Sequence, residues 1–288
     1  MLKLTYQQFR LRLFMKIQNS KEKINNFHEI IKDHDFTSFL GLTKQYQLFE
    51  VPNLTKDMTL VLLEKLNPSN QGEILSFDDF WKWYKKNLGQ GTVEILAEHM
   101  YPSKSKNYEA IVKNMMSDHT DELWEHLRAR VYKKWCSIMT ETQCVYGMLE
   151  YIQANNKNWE IVSSPKLDSA GVDFIIVAKT ATPVQIKMLS HSKIAMSKKN
   201  NEPNLSLEEV KKGRMSIVQQ ELKGVGYDDS LVVGKSVLVK YGLKDRQGNF
   251  TFDYLKQHDN GFVYFDADIL MKHLAKHIEP KQTRKPNI

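Results

Sequence analysis

Two apolar stretches carry polar side chains where a core strand has no use for them. In Val184-Gln185-Ile186-Lys187-Met188 an amide and an ammonium alternate with aliphatic residues, and in Val172-Asp173-Phe174-Ile175-Ile176-Val177 one carboxylate interrupts the apolar run. Successive side chains of a strand project to opposite faces, so Gln185 and Lys187 share one face with Cα atoms about 6.6 Å apart. A hairpin between the two runs brings Asp173 beside them. Carboxylate, amide and ammonium on one surface suit phosphodiester hydrolysis. That reaction needs a hard divalent cation to polarise the phosphoryl oxygen and supply hydroxide, and a group to orient the attacking water. Asp173 is then the principal ligand, with the amide oxygen of Gln185 and the backbone carbonyl of Ile186 completing the set. Lys187 positions the water or helps to deprotonate it, and offsets charge developing on phosphate.

The elements that must hold these residues follow from periodicity. Glu160-Ile161-Val162 and the two runs above read as three strands, the last two joined by a turn over Lys179-Thr180-Ala181-Thr182-Pro183. Residues 1 to about 155 repeat apolar side chains at helical spacing, as in Phe77, Phe80, Trp81 and Tyr84 and again in Leu123, Leu127, Val131 and Trp135. The stretch from Leu123 to Asn155 predicts one long helix or two joined, ending near Glu150 just ahead of the first strand; Arg128, Arg130, Lys133 and Lys134 make its solvated face. Ser206 followed by Glu209 has the form of a capping box and predicts a helix running toward Leu222. Further strands are expected in Asp229–Leu243 and in Gly261-Phe262-Val263-Tyr264-Phe265, then a helix over Asp266–Ile278. The expected class is α/β, a mixed sheet flanked by helices with a large helical region ahead of it: 1–122 helical, 123–280 the core, 281–288 a basic tail. Helix, strand, Asp strand and Q-x-K strand follow one another in the order of a nuclease core.

Composition sets outer limits. The 288 residues are 41% hydrophobic, enough for a substantial core, and carry a formal charge of +7. The basic balance suits a polyanionic partner such as DNA, since phosphate contacts release condensed counterions. Cys136 and Cys144 fit neither a disulfide framework nor a zinc site and are expected to be reduced thiols of a cytoplasmic protein. The opening MLKLTYQQFRLRLF is broken by charges and amides and predicts neither a signal-peptide core nor a membrane span. Asn67, Ser69 and Gln71 stand where a calcium-binding loop would need Asp, so the 67–84 segment is a turn feeding a helix.

The segment LDSAGVDFII followed by PVQIK resembles the TaqI family of type II restriction endonucleases, within the PD-(D/E)xK superfamily, whose members carry a similar L-D-x-x-G-[IV]-D followed by Q-I-K. Looser similarity extends to SFDDFWKWYKK, LRARVYKKW, SIMT and NGFVYF, so it covers most of the chain. The resemblance implies a restriction-endonuclease-like core and a cytoplasmic homodimer that cuts a short palindrome in double-stranded DNA with Mg²⁺. The family's TCGA target is implied, as is a cognate DNA methyltransferase as genetic partner. Its two acidic positions fall on Asp168 and Asp173, its amide on Gln185 and its lysine on Lys187. After the lysine, MLSHSKIAMSKK departs from the family, which leaves the target sequence open.

Gln185 stands where the commoner motif has an acid, and the missing charge calls for another carboxylate. Asp168, Glu150 and Glu141 are the candidates; Glu141 and Glu150 lie on roughly opposite helix faces, so they cannot easily both serve. Lys193, Lys198 and Lys199 are placed to follow a DNA backbone, with Lys211, Lys212 and Arg214 on the next helix. Two rival readings use the same residues: a non-catalytic DNA-binding protein whose metal site has decayed, and a structure-specific repair nuclease with no fixed target.

Overall fold

The computed structural model describes residues 20–35, 74–87, 121–242 and 252–278, apart from 165, 168–169, 190–192, 195, 197–198, 201–202, 204, 211 and 233. Three helices come first: α1 (Ser20–Lys32), α2 (Phe77–Asn87) and α3 (Asp121–Ala154). Ser76 opens α2, its hydroxyl accepting the Asp79 amide at 3.2 Å and donating to the Asp79 carboxylate at 2.7 Å; this satisfies an amide that the first turn would otherwise leave unpaired. Phe27 and Ile31 of α1 and Phe77, Phe80 and Tyr84 of α2 pack with Leu127, Val131, Tyr132 and Trp135 of α3. The aromatic helical repeat of the sequence is thus core, as expected.

α3 is one helix of 34 residues, about 51 Å long at the usual rise. Its early part serves the helical cluster, while Cys144, Val145, Met148 and Ile152 pack on the sheet. One rod therefore belongs to both halves of the molecule.

The sheet comprises β1 (Glu160–Val162), β2 (Phe174–Val177), β3 (Ala181–Leu189), β4 (Leu205–Glu209) and β5 (Lys235–Gly242) in the order β1-β2-β3-β5-β4. β1, β2 and β3 form an antiparallel meander, β5 lies parallel to β3, and β4 is an antiparallel edge. A parallel neighbour requires a crossover, which here includes helix α4 (Lys212–Gly224). The sheet is covered on both faces. Phe174, Ile176, Val184, Ile186, Val237 and Val239 face α3 and the last helix, α5 (Ala267–Ile278), while Val162, Ile175, Val177 and Ala181 face Val218 and Leu222 of α4. A small hairpin, β6 (Leu255–Gln257) with β7 (Val263–Phe265), joins the sheet to α3. Buried Gln143 fastens it, donating to the Phe265 carbonyl at 2.9 Å and accepting the Phe265 amide at 3.0 Å.

The expected helix from Ser206 is a strand instead. Leu205-Ser206-Leu207 alternates, and β4 pairs with β5 from Leu205–Val239 to Glu209–Lys235, so edge hydrogen bonds win over a local capping signal; α4 starts at Lys212. The hairpin turn is also tighter than the Thr/Pro cluster suggests. Ala178 and Thr180 close it, and Pro183 already lies in β3 opposite Ile175. Pairing of β3 with β5 begins only at Val184, so the missing proline amide removes no bond on that side. Among the described residues no helix is long and apolar enough to cross a membrane.

Candidate metal and phosphodiester site

The hairpin brings Asp173 to the strand that carries Gln185 and Lys187. The register ends at Phe174 with Val184; Asp173 stands immediately before β2, and Gln185 and Lys187 follow Val184 on β3. The Asp173 amide donates to the Val184 carbonyl at 3.0 Å, and Ser163 donates to the Asp173 carbonyl at 3.1 Å. The carboxylate then turns into the plane of the sheet, where Oδ2 accepts the Ile186 amide at 2.5 Å. In an extended residue N–H and C=O point to the same neighbour, so the Ile186 carbonyl is directed to the Asp173 side as well. Gln185 is half-buried and Lys187 exposed.

Local turn chemistry delivers Asp173. The Leu167 carbonyl accepts the amides of Ala170 at 2.9 Å and Val172 at 3.0 Å, and Gly171 between them has φ of +72°. A glycine meets that left-handed conformation without the steric cost a side chain would bring. Buried Leu167 anchors the turn in one cluster with Val218 and Leu222. Asp168 lies outside the described residues.

Of the two helix acids, Glu141 comes to this end of the sheet. Tyr241 is in register with Met188, one residue beyond Lys187, on the sheet face that packs against α3. Burial, then Glu141, then Asp173 raise the Tyr241 hydroxyl, with a hydrogen bond from Ser137 opposing them. Burial followed by Asp173 and Glu141 likewise pushes the Cys144 thiol well above its usual range. Glu141 and Asp173 thus act on the same two side chains. Glu141 also accepts the Ser137 hydroxyl at 2.9 Å. Glu150, half a turn away from Glu141 in projection, instead accepts the Ser20 hydroxyl of α1 and faces a cleft of about 350 Å³ lined by His28, Tyr264 and Lys256. The helix end does not bring Glu150 over the hairpin.

A lysine not singled out from the sequence joins the group. Lys240 of β5 is in register with Lys187 and is 9% exposed. Directly paired residues share a sheet face. Its signal was a lone charge inside Val-Leu-Val-Lys-Tyr. Beyond β3, buried Ile194 packs where a Cβ on Gly242 would stand, 2.4 Å from its Cδ1. That contact pins the segment to the end of β5 and leaves Lys193 and Lys199 exposed; Lys198 lies outside the described residues.

The donors suit a hard cation. A carboxylate, an amide oxygen and a peptide carbonyl match the oxygen preference of Mg²⁺, which also keeps several waters. Among the described residues no three His, Cys, Asp or Glu side chains form a metal-binding group; Asp173 is the carboxylate fixed on the hairpin, while Glu141 stands on the α3 side of the sheet and Gln185 on the side that α4 covers. Both cysteines are free, and burial raises Cys136 to about 12, which excludes a thiolate nucleophile there. No family model, curated protein or solved structure matches this chain.

Proposed function

We propose that the chain is a Mg²⁺-dependent type II restriction endonuclease with a restriction-endonuclease-like core, acting on double-stranded DNA as a homodimer. The observation that carries this reading is the Asp173 carboxylate bound to the backbone amide of Ile186, between Gln185 and Lys187 on β3. The strand order supports it: an acid-bearing helix, an antiparallel meander, a crossover helix and a parallel strand. In this reading Asp173, Gln185 and the Ile186 carbonyl would hold Mg²⁺, with Glu141 the candidate for a further carboxylate, and the ion would supply Lewis-acid polarisation and a nucleophilic water. Lys187 orients that water and meets the charge that grows on the phosphate oxygens. The exposed Lys193 and Lys199 contact the DNA backbone. Asp168 remains a further candidate ligand on the strength of its place in the motif. A short palindrome, TCGA first, is the proposed target, with a DNA methyltransferase protecting the host genome.

The test is digestion of a plasmid of known sequence with Mg²⁺, and mapping of the ends. Discrete fragments with a common terminal sequence are expected, and Lys187→Ala retains DNA binding while losing cleavage. A smear without common ends would replace a site-specific enzyme by a structure-specific one. Salt-sensitive binding without cleavage in Mg²⁺ or Mn²⁺ would leave a DNA-binding protein.

A further inference from the structure

Arg214 stands in the first turn of α4, and its guanidinium lies against Gly171. A Cβ built on that glycine would come within 2.8 Å of Nη1 and 3.2 Å of Cζ. Gly171 is two residues ahead of Asp173, at the turn that delivers the carboxylate. Further along α4, Lys166 pairs with Glu221 at 3.4 Å, and Leu167 clusters with Val218 and Leu222. Positions 214, 218 and 221–222 recur at about one helical turn. The packing that seats α4 on the sheet therefore also carries Arg214 to the site.

Arg214 is exposed, and among the described residues no carboxylate lies within ion-pair distance of it. α4 covers the sheet face that strand alternation assigns to Gln185, Lys187 and Lys240. An exposed planar guanidinium held against the Gly171 backbone fits a phosphate in bidentate fashion.

We infer that Arg214 binds a DNA backbone phosphate flanking the cleaved bond and so sets the register of the strand over Asp173 and Lys187. The inference rests on the nuclease reading. It concerns a positioning contact and differs from the roles of Asp173 and Lys187.

Cleavage is measured for wild type, Arg214→Lys and Arg214→Ala on duplexes carrying one uncharged methylphosphonate at successive positions around the cut. Arg214→Ala is expected to lower kcat/KM on the order of 10- to 100-fold, the loss of charge-assisted hydrogen bonds, with part recovered in Arg214→Lys and thermal stability unchanged. At one phosphate, neutralisation should cost the wild type a comparable factor and cost Arg214→Ala nothing more. Additive losses at every phosphate, or an unimpaired Arg214→Ala, overturn the inference while leaving the nuclease reading intact. Absence of wild-type cleavage overturns both.

Discussion

The backbone amide of Ile186 donates to Oδ2 of Asp173 at 2.5 Å, so the carboxylate that heads the candidate metal site also ties the end of β2 to β3. Structure and charge can therefore be separated at one position. In Asp173→Asn an amide oxygen still accepts from Ile186, whereas the negative charge is gone. That variant is expected to melt close to wild type and to lose Mg²⁺-dependent cleavage by at least about 100-fold, the scale of losing a group that stabilises developing charge. Asp173→Ala should lose cleavage and also about 1–3 kcal/mol of stability, because the Ile186 amide loses its acceptor. Thermal melting beside single-turnover cleavage checks both, and an active Asp173→Asn would remove the carboxylate from the chemistry.

Glu141 and Glu150 sit on one helix and have opposite expected effects. Glu141 acts with Asp173 on Tyr241 and Cys144, so Glu141→Gln should raise the Mg²⁺ concentration for half-maximal cleavage by about tenfold or more, since ligand charge sets affinity for hard cations. Glu150 holds Ser20 of α1, so Glu150→Ala should leave the Mg²⁺ requirement unchanged and cost about 1 kcal/mol of stability. A Mg²⁺ titration of both variants decides. The reverse pattern would return the role to the helix end.

Gln185 offers the complementary change. It is half-buried and adjoins Ile186, whose amide Asp173 accepts, and Gln185→Glu adds a charge without altering length. The expected result is half-maximal cleavage at lower Mg²⁺, together with rescue of the metal requirement in Glu141→Gln. If Gln185→Glu needs more Mg²⁺ than wild type, the amide is not a ligand position.

The hairpin was legible in the sequence because polar residues inside apolar strands have few structural uses, and because strand alternation fixes which of them share a face. Glu141 was harder to choose. α3 is buried along much of its length, with Thr140, Thr142 and Gln143 inside, so no polar stripe marks which side faces the sheet. The hydrogen bond from Ser137 shows where Glu141 is held. Ser206–Glu209 misled for a related reason: a capping box is a local signal, whereas the competing hydrogen bonds come from β5, some thirty residues away in sequence. Lys240 was visible as a charge in a Val-rich strand, but its neighbour across the sheet depends on a crossover that no local pattern specifies.

His28 of α1 and His258 beside β6 bring Nδ1 and Nε2 within 2.9 Å, with Tyr264 against both rings. One of the two nitrogens must be unprotonated for that contact to be a hydrogen bond. Burial and then the facing His258 lower the pKa of His28, with Glu29 opposing; burial lowers His258, with Asp259 opposing. Because both folded-state values lie below the ordinary 6.5, the unfolded chain takes up more protons in the window just beneath it, and stability falls with falling pH there. The contribution is fully present above 6.5 and is lost as pH drops through the folded-state values. Asp266 is separate: burial raises it, but Lys256, at 2.6 Å, and helix amides lower it on balance from 3.8, so its contribution disappears only in stronger acid. Melting temperature should therefore decline from pH 7.5 to 5, and the slope should be shallower in His28→Gln. It does not vanish, because burial also lowers His34 and His277. An unchanged slope in that variant would mean that the α1–hairpin contact does not sense protons, and that acid sensitivity in this range arises elsewhere.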